Sequence, residues 1–364
     1  MAPSLAERDS ASEPNPILVE VWRGNVVESV HRGAISVMSD RGESIAAMGD
    51  IARPVFPRSA VKMIQALPLI ESGAADRFRL TDVQVALACA SHSGEREHVR
   101  TVESWLNMMA LTPGALECGA HAPFDRGAAD ELVRSGVAPS ALHNNCSGKH
   151  AGFLATAMHA GDDPHGYVEA SHPVQRRVSL ALGEMMGADV ALAPCGTDGC
   201  GIPAFAVPLQ AIALGMAKLG SGHGSAPVRA AASRRIVTAM MALPWLVSGT
   251  GRFDQRAMML GGGRFATKMG AEGVHAAIIP GRGLGIAIKI DDGAQRAAEV
   301  AMAAVLVKLG VLDGGEAEAL CRVRLRNSKG REVGRIVAAG EGDGSSTPRR
   351  NGFVGVSRAS AEAG

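Results

Sequence analysis

Aromatic residues are scarce in this 364-residue chain, at 3%, with three Trp and a single tyrosine, Tyr167. That excludes a stacking platform for single-stranded nucleic acid, which needs aromatic rings spaced along a groove. A dominant charge is lacking too. Lys+Arg 37 against Asp+Glu 36 leave a net charge of +1, so nothing steers the chain toward nucleic acid or an anionic membrane. No apolar run reaches the roughly 20 residues that span a bilayer. The opening stretch, "MAPSLAERDSASEPNP", carries Asp and Glu and is not a secretory signal. Residues 1–16 are expected to form a flexible leader, and the protein to be cytoplasmic. Cys89, Cys118, Cys146, Cys195, Cys200 and Cys321 are then expected to be reduced. Lysine is rare as well: seven of the 37 basic residues, the other thirty being Arg. A chain so biased keeps a lysine where Arg will not serve, because lysine alone of the two can act as a neutral base.

What is present is a hydrophobic content of 46%, in a chain long enough for a large core and two lobes. "ILVEVWRG", "SVHRGAISVMS" and "ESIAAMG" alternate apolar and polar residues, which predicts an antiparallel meander over 17–49. "FATKMG", "GVHAAIIP" and "LGIAIKI" read as three more strands, and "REVGRIVAA" as a closing one. Between them helices are predicted at 59–72, 82–89, 95–109, 126–135, 149–161, 173–187, 207–219, 226–242 and 252–260. A long amphipathic helix in "GAQRAAEVAMAAVLVKLGVL" can cover the sheet. The fold class is therefore α/β of the α+β type. One antiparallel sheet is built from both chain ends (17–58 and 262–338), and 59–261 form a helical lobe. A cleft between the lobes is the expected site. From 339 to 364 the chain is rich in Gly, Ser and Arg and is expected to be disordered.

Two constellations carry chemistry. In "FPRSAVKMIQALP", Ser59 and Lys62 stand three apart, so both fall on one helix face. A lysine half buried near a helix N-terminus has its ammonium disfavoured by the dipole and by desolvation, the condition for taking a proton from a hydroxyl. The plain alternative is a capping serine with an exposed lysine. "CASHSGE" then offers Ser91 and Ser93, and "TKMG" offers Lys268. Their order follows the Ser-x-x-Lys, Ser-x-Asn, Lys-Thr-Gly series of the penicillin-recognising serine enzymes, although the literal second and third motifs are absent. The other constellation joins "HNNCSGKHAGF" to "CGTDGCG", where Cys146, Lys149, His150, Cys195 and Cys200 fall on two loops. Thiolates with a nitrogen donor suit zinc, and His150 is the natural nitrogen; inert core thiols are the plain alternative. A phosphate loop is excluded because His143 stands where its first glycine belongs.

Taken together, "RPVFPRSAVK", "LACASHSGE", "NNCSGKHAGFLA", "DGCGIP", "GTGRFD", "KMGAEGV" and "LGIAIKIDDGA" resemble the asparaginase II family of rhizobial-type L-asparaginases, from about Ile17 to Ile336. The resemblance implies a fold like that of the serine β-lactamases and penicillin-binding proteins, and hydrolysis of L-asparagine. It implies Ser59 as nucleophile with Lys62 as its partner, and Ser91 with Lys268 as a second pair. Arg58 and His150 would hold substrate. Cys146, Lys149 and Cys200 would hold zinc, with Asp198 beside them, so a lysine replaces the expected histidine as ligand. Cys195 and Arg96 depart from the family pattern. A homodimer is expected on symmetry base rates and family likeness. Two alternatives stand: another serine acyl-enzyme, such as a penicillin-recognising esterase, and a noncatalytic zinc-binding module of the same fold. Nothing separates asparagine from glutamine, since one methylene is worth only about 1–3 kcal/mol.

Overall fold

Alternating apolar residues close the first hairpin, in which β1 (Ile17–Arg23) runs antiparallel to β2 (Val26–Ser39). The computed structural model describes residues 13–341. β3 (Ser44–Met48) returns along the second half of β2. Short strands follow: β4 (Pro54–Val55), β5 (Cys195–Thr197), β6 (Pro203–Phe205) and β7 (Val207–Pro208). The C-terminal part supplies β8 (Ala266–Met269), β9 (Val274–Ile279), β10 (Leu284–Ile290), β11 (Val323–Arg326) and β12 (Glu332–Ala338). The main sheet has the order β11-β12-β1-β2-β10-β9-β8, with β3 paired to β2. Both ends of the chain thus build one antiparallel sheet, the arrangement the strand patterns predict.

β10 is buried along nearly its whole length. Ile286, Ile288 and Ile290 are each fully buried, at roughly 1.5–3 kcal/mol apiece. Gly285 lets the helix Leu209–Ser221 approach, because a Cβ there would stand 2.0 Å from the Ala213 carbonyl oxygen. The helix Gln295–Lys308 also packs on β10, as its amphipathic pattern predicts.

Three expectations change. The helix predicted over 59–72 is broken into a 3-10 turn (Arg58–Val61) and two short helices, Lys62–Gln65 and Leu67–Glu71. Pro68 has no N–H to give to Ile64, so the helix cannot run through it. The segment Cys195–Pro208, expected within the helical lobe, carries a two-strand hairpin (β5 with β6) and a two-residue pairing of β7 with β4. Asn15, assigned to the leader, is buried and anchored: its Nδ2 donates to Asp291 Oδ1 at 2.9 Å, and Asp50 N donates to its Oδ1 at 2.7 Å. The rest of the expected leader, 1–12, and the expected tail from 342 lie outside the described residues. Among the described residues no helix is long and apolar enough to cross a membrane.

Candidate active site

Ser59 sits on the 3-10 turn that follows β4, and Arg58 before it has φ 51°. A non-glycine residue in that left-handed region costs roughly 1–2 kcal/mol. Arg58 is held there by an ion pair, Nε to Asp198 Oδ1 at 2.7 Å. Ser59 is half-buried, caps no helix, and hydrogen-bonds through its side chain to none of the described residues. Lys62 is fully buried. Its Nζ donates to the Ala90 carbonyl, to Ser91 Oγ at 3.0 Å and to the Asn145 carbonyl at 3.5 Å. A capping serine with an exposed lysine is therefore not what the chain builds.

Ser91 follows the helix Asp82–Ala88, which starts in a capping box between Thr81 and Gln84. The loop after it is pinned from both sides. Ser91 N donates to Val247 O at 2.9 Å and His92 N to Asn145 O at 3.2 Å. Glu95 accepts from Ser93 Oγ at 2.6 Å and from Thr250 N at 2.8 Å. Ser91 is buried, with 5% of its surface exposed.

Lys268 lies on β8, fully buried, with Nζ donating to Met269 O at 2.6 Å. Burial pushes its pKa down to about 7; Asp254 opposes this, while Lys62 and Arg252 add to it. Gly270, two residues on, allows the end of β8 to meet the turn that carries Ser59. A Cβ there would fall 2.8 Å from Pro57 O and 3.1 Å from Ala60 N.

The second constellation is also assembled. Lys149 and His150 lie in the first turn of the helix Ser147–Ala160, which starts two residues before the predicted 149 and has Cys146 as its N-cap. Lys149 Nζ is 3.0 Å from Cys200 Sγ, and Cys200 Sγ is 4.0 Å from Asp198 Oδ2. The hydrogen bond from Cys200, with the charges of Lys62 and Lys149, pulls the Cys146 thiol well down against burial. The same hydrogen bond, with burial, pushes the Cys200 thiol up. Burial works against the Lys149 ammonium, but the neighbouring sulfurs and Asp198 hold its pKa up. The two sulfurs and this nitrogen suit a zinc ion only once the Lys149 amine gives up its proton. Among the described residues no three His, Cys, Asp or Glu side chains could hold a metal, so an ion here needs the Lys149 amine.

His150, the nitrogen donor favoured on residue type, is turned elsewhere. Tyr167 Oη accepts from Glu117 N at 2.8 Å and is hydrogen-bonded to His150 Nδ1 at 2.9 Å. His150 Nε2 is buried and without a partner among the described residues. Burial, aided by Lys149 and Lys62, keeps the ring neutral. Cys195 is exposed on β5, and all six cysteines are free thiols.

The model of the family described as L-asparaginase II matches residues 19–338. The chain belongs to the L-asparaginase II family. That makes it an L-asparaginase-type amidohydrolase. Among solved structures, Mglu matches with 14% identity over 77% of this chain and 67% of its own, at a TM-score of 0.36. A β-lactamase from Mycobacterium bovis (Mb2281c) matches with 14% identity over 76% of this chain and 94% of its own, at a TM-score of 0.38. No curated protein matches.

In this L-asparaginase II chain the structure joins Lys62 to Ser91, Arg58 to Asp198, and Lys149 to Cys200. It does not join Ser91 to Lys268, whose amine turns to its own strand. Arg58 and Asp198 line a narrow crevice of about 10 Å³ with Gln65 and Phe205. Three residues were missed by sequence reasoning: Asp254, His275 and Tyr167. Asp254 ends the quoted "GTGRFD" motif, and Tyr167 is the one tyrosine of the chain, so each left a faint signal.

Proposed function

We propose that this L-asparaginase II chain hydrolyses L-asparagine to L-aspartate and ammonia through an acyl-enzyme on Ser59. The observation that carries the reading is Lys62. It is fully buried, three residues past an unbonded serine hydroxyl, and hydrogen-bonded to a second serine. As an amine, Lys62 keeps its two hydrogens for the Ala90 and Asn145 carbonyls and presents its lone pair to a hydroxyl. It takes the Ser59 proton as Oγ bonds to the side-chain amide carbon. Backbone N–H groups at the start of the turn, Ser59's own among them, face the oxyanion. Collapse breaks the C–N bond, and a lysine ammonium gives the leaving nitrogen its proton. Water then adds to the β-aspartyl ester and Ser59 regains its hydrogen.

Arg58 grips the substrate α-carboxylate through a two-pronged contact. The unpartnered His150 Nε2 offers one more buried polar contact to the substrate. Cys146, Lys149 and Cys200 would hold zinc. When bound, it supplies a positive charge that keeps the thiols deprotonated and fixes the loop carrying Asp198.

Ammonia release from L-asparagine and L-glutamine, with Ser59→Ala run beside the unaltered protein, tests the reading. Release from asparagine that the variant loses supports both reaction and nucleophile. Release that Ser59→Ala retains overturns the acyl-enzyme, and no release from asparagine overturns the substrate.

A further inference from the structure

Behind Lys268 lies a buried acid that the hydrolysis proposed above does not use. Asp254 stands in the first turn of the helix Phe253–Gly261 and is 3% exposed. Its Oδ2 accepts from Met269 N at 3.0 Å, the amide directly after Lys268. Its Oδ1 is 2.9 Å from His275 Nε2. His275 is fully buried on β9, opposite Met269 in the strand register. The same Nε2 is 2.9 Å from Thr267 Oγ1, which gives its own hydrogen to Ala276 O at 3.1 Å. Neither neighbour has a hydrogen to offer, so Nε2 carries the proton and donates to both. Asp254 is thus clamped from two directions. Burial alone would raise its carboxyl; the His275 hydrogen bond, the His275 charge and Lys268 outweigh it and hold it down at about 2.

A buried carboxylate needs partners with good geometry to stay charged. Here those partners are the amide beside Lys268 and a histidine on the adjacent strand. Lys268 has no hydrogen bond to Cys146, Lys149 or Cys200. It feels the charges of Lys62 from one segment, of Asp254 and Arg252 from another, and of Cys146. Cys89, at the end of the helix Asp82–Ala88, is a neutral neighbour whose pKa burial raises to about 12. Of these groups, Asp254 is the anion that acts most strongly on it.

We propose that Asp254 and His275 form a positioning pair for Lys268, in which the imidazole fixes the carboxylate and the carboxylate balances the lysine's charge and holds the end of β8 against the nucleophile turn. This rests on Lys268 serving the amide hydrolysis proposed above, but its first test needs no substrate. With seven lysines in the chain, the side-chain carbon signals of 13C-labelled lysine can be assigned by subtraction in Lys268→Met. In Asp254→Asn the Lys268 titration should move down by about one pH unit, the effect of removing a close opposite charge. His275→Gln, which can still donate to the carboxylate, should leave it close to its original place. An Asp254→Asn titration that stays where it was overturns the pair.

Should Asp254→Asn not fold, the unmutated protein carries the test. Its Asp254 carboxyl carbon should show a step at the Lys268 titration, because coupled groups report each other's protons. A flat signal there overturns the proposal. In kinetics, Asp254→Asn should shift the acid limb of kcat/KM to lower pH in parallel with the lysine signal. A loss of rate with no such shift would reduce Asp254 to a structural residue. A correct lysine shift in a protein with no asparaginase activity would instead count against the substrate assignment alone.

Discussion

Lys62 Nζ stands 3.0 Å from Ser91 Oγ, so the lysine that follows the expected nucleophile is bonded to the other serine. Neither Ser–Lys pair expected from the sequence is hydrogen-bonded as paired: Lys62 bonds to Ser91, and Lys268, fully buried, bonds to the Met269 carbonyl. This ranks the serines. Ser59→Ala removes the proposed attacking oxygen and should lower kcat at least about a thousandfold, while its unbonded side chain leaves stability unchanged. Ser91→Ala removes one of three partners of Lys62 and should cost about ten- to a hundredfold. Steady-state ammonia release checks both, and a Ser91→Ala loss as large as that of Ser59→Ala would reverse the assignment.

Arg58 is strained at φ 51° and paired with Asp198, so it is fixed before substrate arrives. Arg58→Lys keeps the charge but loses the planar fork. A lost charge-assisted hydrogen bond predicts a KM for L-asparagine higher by about ten- to a hundredfold. If the contact is equally strong in ground and transition states, kcat hardly moves. A fall in kcat at constant KM would show that Arg58 acts on the reaction and not on binding.

Much of the fold was legible because its signals are local. Thr81 and Gln84 announce the helix Asp82–Ala88, and Gly136 closes the helix Arg126–Ser135 in the left-handed conformation that favours glycine. The strands β5, β6 and β7 were invisible because two or three residues cannot show an alternation. The site was legible in part. Spacing put Ser59 and Lys62 together, but nothing local says that Lys62 reaches Ala90 and Ser91 across the core. Asp254 and His275 meet only through the β8–β9 register and the helix that packs on it, which a one-dimensional pattern does not carry. Residue chemistry favoured His150 over Lys149 as a zinc donor; the structure commits His150 Nδ1 to Tyr167 and sets Lys149 on Cys200.

The contact between Lys149 and Cys200 leads to a metal prediction. Purified protein should hold about one zinc per chain, measured by atomic absorption, and Cys200→Ala should lose it. Removing the ion leaves Ser59 and Lys62 in place, so chelated protein should keep a measurable fraction of its turnover. Chelation that abolishes release as completely as Ser59→Ala would move the ion to the centre of the chemistry.

Lys268 also makes stability depend on pH. Its folded pKa of about 7 lies below the ordinary lysine value of 10.5. Between those values the unfolded chain binds the proton and the folded one does not, so stability rises with pH across that window. Below about 7 both states are protonated, and the fold bears the whole cost of a buried ammonium. Lys268→Met removes that cost and should stabilise the protein at about pH 6 by a few kcal/mol, less whatever Asp254 loses without its counter-charge. By about pH 10 most of the gain should be gone, because the unaltered lysine is then neutral in the fold. The same variant should lose its hydrolysis of asparagine. Urea unfolding at the two pH values reads the difference, and an equal stability change at both would show that Lys268 is not the group whose burial costs the fold.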